Sequence, residues 1–175
     1  MANLVYLISS LPTLTFGQPP PISLSDFHRE AEEQLSSGDF RKLANLDLRH
    51  ITETESGVLK RFVEMSKQVQ EDIVKIRRSR TAGGTPDITT LPKAILEKNP
   101  LQQERSIMEW QWEQLSNIEW GETFRFEQLL CYKLKLQILE RKSSFKATRG
   151  LKIYESVIDR HEKVSEEPVK EEQHS

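Results

Sequence analysis

Four histidines, His28, His50, His161 and His174, and one cysteine, Cys131, are the residues best suited to hold a metal or attack a substrate. A zinc site or a Cys–His nucleophile needs such groups close together at helix or loop spacing. Here no His lies three or four residues from another His or from the cysteine. The histidines read as solvated or capping groups. Cys131 stands in an apolar run, with no neighbouring His to lower its pKa, and reads as a buried structural thiol. Gly83-Gly84-Thr85 resembles a phosphate loop in composition. It follows a helical stretch rather than a strand, so it reads as a helix stop. The carboxylates sit beside cations, as in Glu30, Glu32 and Glu33 near Arg29, or Glu71-Asp72 near Lys75. They read as solvated faces and nominate no acid–base pair. The expectation is a non-enzyme with no catalytic residue, no cofactor and no metal.

Two features point to contact rather than catalysis. Lys75, Arg77, Arg78 and Arg80 place four positive charges in six residues. They suit a helix C-terminus, where the dipole favours cations, or docking onto an acidic partner surface. No aromatic residue is interleaved with them, which argues against nucleic acid. Trp110, Trp112 and Trp120 fall within eleven residues. Trp112 reads as core. Trp110 and Trp120 read either as core or as interface anchors, the role in which exposed tryptophan is enriched.

The elements that must position these residues follow from composition and periodicity. At 175 residues the chain is the size of one domain. A net charge of −2 argues against chain-wide affinity for nucleic acid or anionic lipid. Charged residues make up 30%, while Gly and Pro are few, a balance of long solvated helices. One cysteine permits no intrachain disulfide and suits a reducing, cytoplasmic setting. The apolar stretch Leu4 to Leu14 is far short of the roughly 20 residues that span a bilayer. No Lys or Arg precedes it and Pro12 interrupts it. It reads as a buried N-terminal element rather than an export signal.

Residues 17–22, with three consecutive prolines, form an extended connector. Ser23 then caps a helix with Asp26 at N3, and Ile22 and Phe27 staple it. Leu24, Phe27, Ala31 and Leu35 share its inner face, and Gly38 reads as its left-handed stop. A short helix over 39–46 buries Phe40, Leu43 and Leu46. From Ser56, a plausible N-cap, Val58, Phe62, Met65, Val69, Ile73 and Ile76 form an amphipathic stripe widened by Leu59, Val63 and Val74. Gly83-Gly84 ends it. A short helix over 91–98 follows the loop. Asn99-Pro100 opens another helix to about 117, burying Leu101, Met108, Trp112 and Leu115. Trp120-Gly121 is a break. A helix over 124–142 is apolar nearly all round and should be the central one, although the alternation over Tyr132–Leu136 also fits a strand. A last helix spans about 144–163, with Gly150 a weak point. The expected fold is all-α: one compact bundle of five to seven helices over 1–161, with an extended Pro-rich N-terminal connector and a disordered acidic tail at 162–175.

The N-terminal residues carry a resemblance. Tyr6-Leu7-Ile8-Ser9-Ser10-Leu11-Pro12-Thr13-Leu14, Pro20-Pro21-Ile22-Ser23, Gln34-Leu35-Ser36 and Asp39-Phe40 resemble the opening of a bacterial family encoded beside the subunits of V/A-type rotary ATPases. The match covers residues 3–50, and Phe124 to Glu127 adds a Phe-x-Phe-Glu signature. That family is weakly similar to the C/d-type component of these V-type ATPases, an all-helical protein seated on the rotor ring, where it receives the foot of the central shaft. The resemblance implies a non-catalytic structural or assembly role, with ATPase subunits as protein partners and a position peripheral to the membrane. It carries over no catalytic residue. A stand-alone helical adaptor or regulator is the alternative.

Overall fold

A computed structural model describes residues 3–50 and 57–165, with side chains described except at Val58 and over 146–165. Six α-helices and one 3₁₀ turn make up the fold, and no strand occurs among the described residues. The helices are α1 (Leu4–Ser10), α2 (Leu24–Gln34), α3 (Ser37–Asn45), α4 (Gly57–Ala82), α5 (Pro100–Glu119) and α6 (Phe126–Ser165); the 3₁₀ turn is Lys93–Glu97. The protein is a compact all-α bundle.

α6 is the axis of the molecule. Residues 129–136, together with Ile138 and Leu139, are all buried, and α1, α2, α3 and α5 pack around it. Tyr132–Leu136 lies inside this continuous helix, with no strand among the described residues for it to pair with, which excludes the strand reading. The expected boundary near residue 143 is absent. α6 runs 40 residues without a break. Neither Pro nor a left-handed residue interrupts it there, and Ser144 Oγ donates to the Arg141 carbonyl 2.7 Å away, a bond internal to the helix. Gly150 lies inside this continuous helix. The segment expected to be a disordered tail is helical as far as Ser165, and its remainder lies outside the described residues.

The N-terminal third is set by caps. Asn3 Oδ1 accepts the Tyr6 N–H and starts α1, while the Asn3 N–H donates to the Gln34 carbonyl, joining α1 to the end of α2. Leu7 is fully buried, and Leu4, Ile8, Leu11 and Leu14 pack against the core, whereas Val5 and Tyr6 face outward. The connector over 11–23 is non-helical, but it is not extended throughout. A turn closes at Thr15–Gln18, with Gly17 at φ +100°, a conformation that glycine adopts without cost. Lys142 Nζ lies 3.8 Å from the Phe16 ring centroid beside this turn.

Ser23 caps α2 as expected, its Oγ accepting from the Asp26 N–H at 3.1 Å. Gly38 is not a stop. α2 ends at Gln34, and Ser36 caps a new helix by accepting the Asp39 N–H at 3.2 Å, so Gly38 lies in the first turn of α3. A serine two residues before the glycine, with Asp three residues further on, overrides the glycine signal. The proposed cap at Ser56 lies outside the described residues.

α4 belongs to two cores. Leu59 and Phe62 join the main cluster with α1, α2, α3, α5 and α6. Val69 and Ile76 join a second cluster with Ile88, Leu91, Ile95 and Ile107. This second cluster needs the chain after Gly84 to return along α4, and a buried carboxylate brings it back. Asp72, read from sequence as solvated, has 0% relative exposure. Its carboxylate accepts the N–H groups of Thr89, Thr90 and Leu91 at 2.8–3.2 Å. Three consecutive N–H donors form a cradle that suits one anion.

Candidate interaction surfaces

The bundle carries its chemistry in three places. The first is a polar stripe on the buried helix. Lys133, Gln137 and Glu140 recur at spacings of 4 and 3 on α6. Lys133, at 2% exposure, donates from Nζ to the carbonyls of Leu43 (2.7 Å) and Ala44 (2.9 Å), the end of α3. Gln137 Oε1 accepts the Leu48 N–H, and Glu140 Oε1 accepts the Leu24 N–H at the start of α2. Orphan helix-end groups are thus met by side chains of a third helix. Desolvation lowers the Lys133 pKa to about 8, against a partial opposing pull from Asp47.

That shift sets an expected pH dependence. The unfolded chain holds the Lys133 proton up to its ordinary value of 10.5, while the folded protein releases it near 8. Between these values the unfolded state binds more protons, so folding stability rises with pH. The burial cost is fully present below pH 8 and is relieved towards 10.5. It amounts to about 3 kcal/mol at most. A neutral amine still has two hydrogens for its two carbonyls. Denaturant melts from pH 7 to 10.5 should show the wild type gaining on Lys133→Met. Parallel curves for the two proteins would refute the assignment.

The second place is a cleft of about 220 Å³ between α1 and the α5–α6 junction. Ile8, Leu11, Leu14 and Leu129 form its apolar part, and Tyr132 donates from its hydroxyl to the Pro12 carbonyl at 2.8 Å. Lys135 pairs with Glu119 and lies 5.1 Å from the centroid of Trp112. Both charges in the cleft are therefore engaged with each other. Cys131, two positions beyond Leu129, is fully buried, and desolvation pushes its pKa up to about 12. It is a thiol, not a thiolate nucleophile. Among the described residues no group of three or more His, Cys, Asp and Glu is placed to hold a metal.

The third place comprises the sequence-nominated contact residues, which the fold separates. Lys75, Arg77, Arg78 and Arg80 are all exposed on the last turns of α4. Lys75 Nζ stands 3.9 Å from Asp72, and Arg80 Nη2 donates to the Lys98 carbonyl at 3.4 Å. Gly83 and Gly84, at φ +79° and +99°, stop the helix directly after them. Trp120, the C-cap of α5, is 90% exposed. Phe124 follows at φ +57°, half exposed, its N–H donating to Gln128 Oε1 at 2.8 Å. Trp110 is different: it is partly buried against the second cluster. Trp112 is half-buried, 5.5 Å from Phe16 between ring centroids. Leu101, expected in the core, is 45% exposed. α5 instead buries Gln103, Ile107 and Gln111 beside Met108 and Leu115, because it serves both α6 and the second cluster. Gln103 Nε2 meets the Ile95 carbonyl at 2.8 Å.

With the geometry in place, comparison adds little. Residues 84–165 match the model of a family described as a protein of unknown function, DUF2764. No curated protein and no solved structure matches the chain. The matched segment holds the Asp72-bound loop, α5 and α6, the part of the chain that carries both the axis and the exposed tryptophan. Among the described residues no helix is long and apolar enough to cross a membrane.

Proposed function

We propose that this chain is a non-catalytic structural or assembly component of a V/A-type rotary ATPase, on the cytoplasmic side and in contact with the rotor or central stalk. The observation carrying the reading is the resemblance of residues 3–50 to the family encoded beside such ATPases. In the structure those residues form α1–α3 and pack directly against the axial helix. They are an integral part of the fold, so the resemblance concerns the body of the protein and not an appendage. Exposed basic residues at the end of α4 and the exposed Trp120 supply surfaces for protein partners. The side chains in the apolar cleft are engaged with one another, which fits a mechanical role better than turnover.

Purification of the native rotary ATPase tests this directly: the chain should co-elute with it at low salt. Changing Arg77, Arg78 and Arg80 together to Gln should weaken that association and flatten its salt dependence. Folding stability should move little, because cations at an exposed helix end contribute only about 0.3–1 kcal/mol each. Absence of the wild-type chain from the purified complex would remove the ATPase reading.

A further inference from the structure

We propose that a second copy of this chain docks head to tail on the first, the Lys75–Arg80 end of one copy meeting the Trp120–Phe124 turn of the next. The inference uses the same two patches that the ATPase reading offers to protein partners, and it is tested on the purified chain alone, so its failure leaves that reading standing.

Its basis is a polarity along α5. Arg80 reaches the Lys98 carbonyl, which places the basic cluster at the N-terminal end of that helix. Trp120 caps the other end. Twenty helical residues separate the two by about 30 Å. Charge divides the same way. Residues 75–98 hold six Lys or Arg against two Asp or Glu, whereas residues 109–127 hold five Glu against one Arg. Each end therefore offers what the other would bind, and the rigid helix between them prevents the two ends from meeting within one copy.

The chemistry at the two ends is matched in kind. An arginine guanidinium stacks on a tryptophan face and pairs with carboxylates beside it. Trp120 is nearly fully solvated. Of the carboxylates around it in the chain, Glu119 pairs with Lys135 and Glu122 with Arg125. Glu113 lies two turns back on α5, and Glu127 stands in the first turn of α6. Phe124, held by its bond to Gln128, fixes the turn before any partner arrives, which lowers the ordering cost of contact. Tryptophan and arginine are also the residue types that dominate small interfaces. Because the two patches differ, the contact is heterologous. It adds copies in a row unless the rotation closes a ring. A small patch rimmed by charge gives weak, salt-sensitive association.

Sedimentation velocity of the purified full chain tests this. At low ionic strength the weight-average mass should rise with concentration from micromolar to submillimolar, by about twofold or more as copies add. High salt should return it to the monomer. Trp120→Ala should be monomeric, and so should the Arg77→Gln, Arg78→Gln, Arg80→Gln protein. A mixture of these two variants should form a dimer and stop there, since each retains the end the other has lost. A wild type that stays monomeric throughout overturns the proposal and leaves both patches to a different partner. Association that survives either variant, or a mixture that does not dimerise, overturns it too.

Discussion

Replacing Asp72 by alanine is expected to cost about 2–4 kcal/mol and to free the loop between α4 and the 3₁₀ turn. The carboxylate is buried and holds the N–H groups of Thr89, Thr90 and Leu91. Hydrogen bonds to a charged group contribute about 1.5–3 kcal/mol, and buried donors left without a partner add a desolvation penalty. The second cluster would feel the loss, since Ile88, Leu91 and Ile95 lie on the segment so held. Denaturant unfolding gives the cost. Hydrogen exchange at the amides of residues 89–91 gives the location, where protection should fall more than in α6. Asp72→Asn keeps the size but not the charge and should recover only part of the loss. Burial pushes the Asp72 pKa upward, but the three N–H donors and Lys75 outweigh it, so the carboxyl titrates below its ordinary value. The folded state thus prefers the ionised form. Its stabilisation is present above the ordinary carboxylate range and is lost as pH falls through the folded value. The asparagine variant should lack this acid-sensitive component. Wild-type stability and unchanged protection in the alanine variant would show that the cradle holds nothing.

A second large effect is expected in the axis. Leu134 has 0% exposure on α6, surrounded by the main cluster. Truncating it to alanine leaves a cavity in the main cluster, and such changes cost about 2–5 kcal/mol. The site cannot collapse easily, because the polar stripe of Lys133, Gln137 and Glu140 fixes the neighbouring backbone. The cost should therefore lie in the upper half of that range, read as a lower midpoint with an unchanged denaturant slope. A loss below about 1 kcal/mol would mean that α6 is not the packing centre.

What was legible in the sequence divides along physical lines. Features written in neighbouring residues were read correctly: the Ser23 and Asn99 caps, the Gly83-Gly84 stop, the apolar girth of α6 and the α4 stripe apart from Val74, which is exposed at 43% because α4 turns only one narrow face to its two clusters. Features depending on distant partners were not. Asp72 stands three residues from Lys75 and looks like half of an exposed helical ion pair; its true partners are backbone N–H groups 17–19 residues away, which leave no mark on side-chain pattern. Leu101 and Gln103 exchanged roles because α5 faces two neighbours, and one stripe cannot tell which side wins. Trp110 is half-covered by a cluster that exists only once the loop has returned. One missed signal was present in plain view. Lys133, Gln137 and Glu140 form a polar line at helical spacing inside an apolar helix, the pattern expected of groups that serve buried backbone ends. Of the contact residues, periodicity placed the basic cluster at a helix end, but the near-total exposure of Trp120 required the fold.

That polar line has a consequence for how the first fifty residues are recognised by the rest. Lys133, Gln137 and Glu140 grip peptide groups of Leu43, Ala44, Leu48 and Leu24, never their side chains. A peptide group looks the same whatever residue carries it. The height at which α2 and α3 dock is therefore set from α6, while the docked helices supply the apolar faces of Phe27, Ala31 and Leu43 that fill the core beneath. Their outward-facing residues are free to diverge towards whatever surface the protein meets, without loosening the seat on which they rest.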